Sequence, residues 1–213
     1  MLKVEEKEFI DDQLRSLNPD SIQLWDDLLP ENYTINFVLY KPEWEKLYKK
    51  LIYEFEKVET GLYVYPFERL HMTLLGRIDK NIDPKKLIEV VRKNMLGRKF
   101  VFKVGYLANN NQSLSIISEP KFDLDSLRNQ IRKDLGVSGD DYTRYSNIYE
   151  RLAWFNYLRF REKPGDKFFE ALWNMRNFQF GEFEAKDISI YLNTSRTMDP
   201  TKCKLMETVP FEK

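Results

Sequence analysis

The spacing of apolar and polar residues predicts strands and helices that alternate along most of the chain. Residues 33–40 have the composition of a strand, and Lys41-Pro42 ends it. The next segment predicts a helix, because its apolar residues recur at spacings of three and four and so share one face. These residues are Trp44, Leu47, Tyr48, Leu51, Ile52 and Phe55. We expect this face to pack against a flat surface of the core.

The same patterns continue to the end of the chain. Further strands are predicted at residues 61–65, 70–78, 100–106, 113–117, 152–160, 182–192 and 204–209. Further helices are predicted at 83–96, at 124–135 and after 165–166. Several of the connections between strands are too short for parallel crossovers. The sequence therefore predicts an α+β fold, with mainly antiparallel sheets and flanking helices.

The first part of the chain differs from the rest. Residues 5–14 form an acidic, modestly amphipathic stretch, and the regular strand and helix pattern begins only after about residue 30. We therefore predict an N-terminal helical extension at 1–30 and one domain at 31–213, since domains commonly span roughly 100 to 200 residues.

Composition and charge narrow the choice of partners. The chain has 34 Lys and Arg against 34 Asp and Glu, so no overall positive field favours long duplex DNA. No apolar run approaches the roughly 20 residues that span a bilayer, and the first thirty residues do not resemble a secretory signal. We expect a cytoplasmic monomer without membrane contact. Cys203 is the single cysteine, and the common metal and cofactor motifs are absent, so we expect neither metal nor cofactor.

The only histidine of the chain lies in one of the predicted strands. Alternation places His71 and Thr73 on one face, and Leu70, Met72 and Leu74 on the other. An imidazole with a pKa near 6.5 can exchange a proton at neutral pH, and a threonine hydroxyl two residues away can bond the same anion. The pair suits a phosphate group.

The segment His71-Met72-Thr73-Leu74 resembles the HxT motif of the two-histidine (2H) phosphoesterases, which include 2′,3′-cyclic phosphodiesterases and 2′-5′ RNA ligase-like proteins. The resemblance covers roughly residues 32–211 and implies two similar lobes around a central cleft. In that superfamily two such motifs face each other. One histidine is the base, the other is the acid, and the hydroxyl residues hold the phosphate. The resemblance implies a hydrolase for a nucleotide or short RNA with a 2′-linked or cyclic phosphate.

The second motif is altered in this chain. The expected strand is 152–160, and it contains no histidine. One register places Trp154 at the histidine position and Asn156 at the threonine position, whereas a slip of two residues places Asn156 at the histidine position. Both registers put Trp154, Asn156 and Leu158 on one face. Neither Trp nor Asn can transfer a proton near neutral pH, but Asn156 can donate hydrogen bonds to a phosphate.

Three interpretations of the function therefore stay open. His71 can act as the single acid or base, with Thr73 and Asn156 holding the phosphate. Alternatively, the chain is a catalytically inactive module that binds a nucleotide or RNA end. The third interpretation is a protein-interaction domain that keeps only the architecture.

Other residues extend the candidate site. The guanidinium of Arg159 can bind a phosphate, but alternation places it opposite Asn156, which favours a salt bridge. Tyr145 can stack on a nucleobase, and Tyr145 or Tyr142 could replace the missing acid. The run Asn193-Thr194-Ser195-Arg196-Thr197 follows the penultimate strand and offers hydroxyls, among them that of Ser195, and a cation, although turn capping explains it equally well. Asp140-Asp141 is expected to be solvated.

Overall fold

The computed structural model of the protein describes residues 2–24, 26–109, 112–137 and 151–212. The helices of these residues are α1 (Val4–Ser16), α2 (Glu45–Glu56), α3 (Pro84–Met95), α4 (Leu124–Leu135) and α5 (Asp166–Met175). The strands are β1 (Leu28–Val38), β2 (Leu62–Val64), β3 (His71–Asp79), β4 (Phe100–Asn109), β5 (Ser113–Pro120), β6 (Ala153–Phe160), β7 (Gln179–Ala185), β8 (Asp187–Ser195) and β9 (Cys203–Pro210).

The strands form two antiparallel sheets. One has the order β3-β1-β8-β9, and the other has the order β2-β6-β5-β4-β7. Strands β3 and β6, which carry the predicted motif and its altered counterpart, come from different sheets and lie against each other. The predicted α+β fold with mainly antiparallel sheets, flanking helices and two lobes is confirmed. This arrangement brings the two motif strands to one cleft.

The helices follow the sequence signals. In α2 the predicted apolar face is buried, and Leu51 and Phe55 are fully buried. Asp83 caps α3 by accepting from the backbone N–H of Lys85. Gly136 ends α4 in the left-handed region, with φ of 74°, where a side chain would be strained. The caps therefore mark the start of α3 and the end of α4, and the apolar face sets how α2 packs.

The predicted strand at 182–192 is in fact two strands. β7 ends at Ala185 and pairs with β4, whereas β8 begins at Asp187 and pairs with β1 in the other sheet. The prediction of one strand is wrong because the chain crosses between sheets at Lys186, where the buried apolar positions shift from Phe183 and Ala185 to Ile188 and Ile190. Alternation reports which face is buried and carries no information on which sheet a strand joins.

The N-terminal segment folds onto the rest of the chain. The helix expected within residues 1–30 is present as α1, and its Ile10 and Leu14 are part of the common core. Leu28 already belongs to β1 and pairs with Ser195. The segment therefore contributes the first residues of β1 as well as a helix.

Candidate functional site

A cleft of about 240 Å³ lies between the two sheets. It brings together five of the residues that the sequence singled out: His71, Thr73, Trp154, Asn156 and Arg159. The apolar residues on the other face of β3, such as Met72 and Leu74, are buried in the core, as alternation predicts. The two motif strands thus present their polar faces to one space.

His71 lies at the start of β3, directly after the short 3₁₀ turn Phe67–Arg69. Its Nδ1 is 2.9 Å from the backbone carbonyl of Arg69. Because a carbonyl only accepts, Nδ1 carries the proton, and Nε2 of the neutral ring is the free proton acceptor. Burial lowers the pKa of His71 below its ordinary value of 6.5; the bond to Arg69 opposes this, and the charge of Arg159 adds to it. The neutral imidazole, a base, therefore predominates at pH 7.

Asn156 is held in one orientation by two serines of the neighbouring strand. Its Oδ1 accepts from the hydroxyl of Ser113 at 3.0 Å and from that of Ser115 at 2.7 Å. Its Nδ2 donates to no other residue in the described part of the chain, and the side chain lines the cleft. Asn156 therefore presents a fixed pair of N–H donors to a ligand.

Arg159 reaches the same face as Asn156 because β6 has a bulge. Adjacent residues of β5, Leu114 and Ser115, pair with Leu158 and Asn156, so Tyr157 is the extra residue. The bulge reverses the alternation after it. The predictions that Arg159 lies opposite Asn156, and that Leu158 shares the face of Asn156, are therefore wrong.

No salt bridge within 4 Å to a described carboxylate is found for Arg159, contrary to the sequence-based expectation. The residue is buried, and its Nε donates to the hydroxyl of Tyr65 at 2.7 Å. Tyr65 in turn donates to the backbone carbonyl of Arg196 at 3.1 Å. The terminal nitrogens of Arg159 are thus left for the cleft.

Two further arginines, Arg77 and Arg196, also line the cleft. Arg77 follows Gly76 in an irregular part of β3 and has a φ of 54°. Arg196 lies just beyond β8, in the polar turn after that strand. The polar composition of this turn was the available signal for Arg196. For Arg77 the available signal was alternation, because it is separated from His71 and Thr73 by even numbers of residues.

Ser195 does not line the cleft, because its side chain is fully buried. Its hydroxyl donates to Asp27 at 2.7 Å, and Asp27 also accepts from the hydroxyl of Thr197 at 3.0 Å and from Lys202 at 2.7 Å. Burial acts to raise the pKa of Asp27, but these hydrogen bonds outweigh it and hold that pKa below its ordinary value. The backbone N–H of Arg196 donates to the Asp27 carbonyl. Ser195 therefore fits a role in holding the turn that carries Arg196.

Several expectations receive no test from the geometry. Tyr142, Tyr145 and Asp140-Asp141 lie outside the described residues. Within the described ranges, no group of three His, Cys, Asp or Glu side chains is placed to hold a metal ion. No described helix is long and apolar enough to cross a membrane. The monomeric state and the cytoplasmic location stay predictions.

Comparison with known proteins gives similarity in structure alone. No family model and no curated protein matches the sequence. The protein TT0787 of Thermus thermophilus is similar over 86% of this chain and 98% of its own, with a TM-score of 0.55 and 12% identity. A protein described as a phosphoesterase is similar over 86% of this chain and 100% of its own, with a TM-score of 0.52 and 11% identity.

Escherichia coli LigT, in a structure complexed with ATP, is similar over 87% of this chain and 100% of its own. The TM-score is 0.53 and the identity is 11%. The same E. coli protein has also been crystallised with 3′-AMP. At such identities the likeness establishes the fold, and function has to be argued from the site itself.

Proposed function

We propose that this chain, which has the 2H phosphoesterase-like fold, is a phosphoesterase for a nucleotide or short RNA with a 2′-linked or cyclic phosphate. His71 is its base, and Thr73 and Asn156 hold the phosphoryl group. The observation that carries the proposal is the tautomer of His71, whose Nδ1 is bonded to Arg69 at 2.9 Å. This bond leaves Nε2 as a proton acceptor in a cleft lined by three arginines.

The protonation state of His71 suits this role. Burial first, and the charge of Arg159 in addition, lower the pKa of His71, so the ring is neutral before the substrate arrives. A general base must be unprotonated at the working pH and within reach of the proton it takes. The lowered pKa of His71 satisfies the first condition, that the base is unprotonated.

The proposed step is hydrolysis of a cyclic phosphodiester. Nε2 of His71 takes a proton from water while the water oxygen bonds to phosphorus, and the bond from phosphorus to one ribose oxygen breaks. That ribose oxygen takes a proton from solvent, and the product is a phosphomonoester. Arg159 compensates the charge that develops on the phosphoryl oxygens.

Thr73 and Asn156 orient the phosphoryl group in this scheme. Their hydroxyl and Nδ2 groups line the cleft from opposite sheets. Because the two serines fix the amide of Asn156, its donors need little reorganisation when the substrate binds. The structures of E. coli LigT complexed with ATP and with 3′-AMP support a nucleotide as the ligand class.

A second candidate function is a nucleotide or RNA-end binding module without catalysis. The observation that favours it is Trp154, which lines the cleft and which one of the two possible registers places at the position of the second histidine. An indole has no proton to give near neutral pH, so the leaving oxygen has no protein acid in the described part of the site. Both candidates use the same cleft and differ in turnover.

The test uses metal-free protein with EDTA and a panel of 2′,3′-cyclic nucleotides and 2′-5′ oligonucleotides. We expect hydrolysis that His71→Asn reduces by about 100-fold or more. Asn is chosen because its amide can still donate to the Arg69 carbonyl while offering no base. Arg98, which is exposed and outside the cleft, provides the control Arg98→Ala.

Each result decides between the candidates. Turnover that survives in His71→Asn overturns the assignment of the base. Absence of turnover, together with a thermal shift caused by the same nucleotides, favours the binding module. Absence of both removes nucleotides from consideration and leaves a protein-interaction domain.

A further inference from the structure

The cleft holds more positive charge than one phosphodiester requires. Arg77, Arg159 and Arg196 all line it, and no ion pair within 4 Å joins any of them to a carboxylate in the described ranges. Burial lowers the pKa of Arg196, the charges of Arg159 and Arg77 lower it further, and the charge of Asp26, which does not line the cleft, opposes them. Arg159 and Arg77 are therefore close enough to Arg196 to repel it.

The charges that line the cleft can be compared with the negative charge that one phosphodiester brings. His71 is neutral and Thr73 and Asn156 are uncharged, so the three arginines bring about three positive charges to the cleft. A cyclic or linear phosphodiester brings one negative charge. A buried cation without a counterion is costly, and Arg159 is buried with a phenol as its hydrogen-bond partner. About two negative charges remain to be supplied, and a phosphomonoester carries about that charge at pH 7.

We infer that Arg77 and Arg196 form a second phosphate site, which binds a phosphomonoester on the same substrate molecule, while Arg159 serves the first phosphate. This inference rests on the proposed function, because the first phosphate is the one placed at His71, Thr73 and Asn156. The substrate class is then a nucleotide or short RNA with a 2′-linked or cyclic phosphate and, in addition, a terminal phosphomonoester.

The arginines are held ready for the two phosphates. The bond from Nε of Arg159 to Tyr65 fixes its guanidinium and leaves both terminal nitrogens for the scissile phosphate. Arg196 is carried by the turn that Asp27 anchors. The backbone of Arg77 is in the left-handed region, so its side chain leaves the strand at an angle different from that of the side chains in the regular strand. Preorganised donors lower the cost of binding.

Two other occupants fit the positive charge less well. The three arginines could all bind the scissile phosphate, but this leaves about two charges uncompensated. A neighbouring diester of an RNA chain would add one negative charge and leave one uncompensated. Each alternative predicts a different response to the added phosphate.

The experiment measures affinity by calorimetry with His71→Asn protein, so that no ligand is consumed. The ligands are adenosine 2′,3′-cyclic phosphate, its 5′-phosphorylated form, and a 5′-hydroxyl diadenosine that ends in the cyclic phosphate. We expect the 5′-phosphate to tighten binding by at least about tenfold, as charge-assisted hydrogen bonds do. Arg77→Ala and Arg196→Ala should each remove most of this gain, whereas Arg98→Ala should keep it.

The result that overturns the inference is equal affinity for the first two ligands. A dinucleotide that binds as tightly as the 5′-phosphorylated ligand also overturns it, in favour of an RNA backbone. Both outcomes are independent of turnover, which is measured with the unmodified protein. Failure of the second phosphate site is therefore distinguishable from failure of the proposed catalysis. Equal losses for all ligands in the arginine variants would place the arginines at the scissile phosphate instead.

Discussion

Arg159 donates from Nε to the hydroxyl of Tyr65 at 2.7 Å, and the same hydroxyl donates to the backbone carbonyl of Arg196 at 3.1 Å. The buried hydroxyl of Tyr65 thus links two of the arginines that line the cleft. The tyrosine ring belongs to the core. Tyr65, which does not itself line the cleft, therefore contributes to the position of both arginines.

Replacing Tyr65 with Phe tests this contribution. The change keeps the ring but leaves the Nε of Arg159 without an acceptor, so we expect a loss of about 1–3 kcal/mol in the free energy of unfolding. Nucleotide affinity should also fall. Urea unfolding and calorimetry measure the two effects. Tyr53→Phe, at an exposed position, is the matched control. An unchanged urea midpoint together with unchanged affinity would contradict the prediction.

The lowered pKa of His71 predicts the pH dependence of the reaction. Burial is the main cause, the bond to the Arg69 carbonyl opposes it, and Arg159 adds to it. Since the neutral ring is the base, kcat/KM should rise with pH and then reach a plateau. The midpoint of the rise reports the pKa of His71 in the folded protein and should lie below 6.5. A pH profile measures this. With no second histidine in the chain, we expect no falling limb from an imidazole acid. A midpoint above the ordinary pKa would show that the charged ring is favoured in the fold.

The lowered pKa of His71 also makes the free energy of unfolding depend on pH. The unfolded chain binds a proton at His71 near the ordinary pKa of 6.5, and the folded chain binds it at lower pH. The neutral ring therefore stabilises the fold above the unfolded pKa, and this contribution is lost as pH falls through the folded pKa. His71→Asn should lack this component between about pH 7 and pH 5. Urea midpoints of both proteins over that range provide the comparison, and parallel curves would count against it.

Local patterns were sufficient to predict the elements that depend on neighbouring residues. The apolar face of α2 follows from a spacing of three and four, and the start of α3 follows from Asp83-Pro84. The paired exposure of His71 and Thr73 follows from alternation within one strand. Each of these features is decided within a few residues of the chain, which is the range over which periodicity holds.

Features that depend on a partner strand could not be predicted in this way. The bulge at Tyr157 exists in the pairing of β6 with β5, and it alone places Arg159 beside Asn156. The change of sheet at Lys186 depends on two different neighbours. The position of Arg159, one of the three cleft arginines, is therefore set by long-range pairing.

Asn156→Asp tests the role of the amide as a donor. The carboxylate has nearly the same shape and still accepts from Ser113 and Ser115, so the fold should persist. It replaces two N–H donors with a negative charge that repels phosphate. We expect nucleotide affinity to fall by at least about tenfold without a loss in the urea midpoint. Asn81→Asp, at an exposed position outside the cleft, is the control. Undiminished affinity would mean that the amide does not contact the phosphate.

Trp154→His restores a histidine to the second motif and tests whether the missing acid limits the reaction. Trp154 is half-buried and faces the cleft, so a smaller ring is accommodated without opening the core. If solvent protonation of the leaving oxygen is slow, the new imidazolium should raise kcat by roughly tenfold or more. A falling limb should also appear in the pH profile, because the acid must stay protonated. Trp154→Phe keeps an aromatic ring and should give neither effect. A histidine that leaves both kcat and the profile unchanged would mean that another step, such as product release, sets the rate.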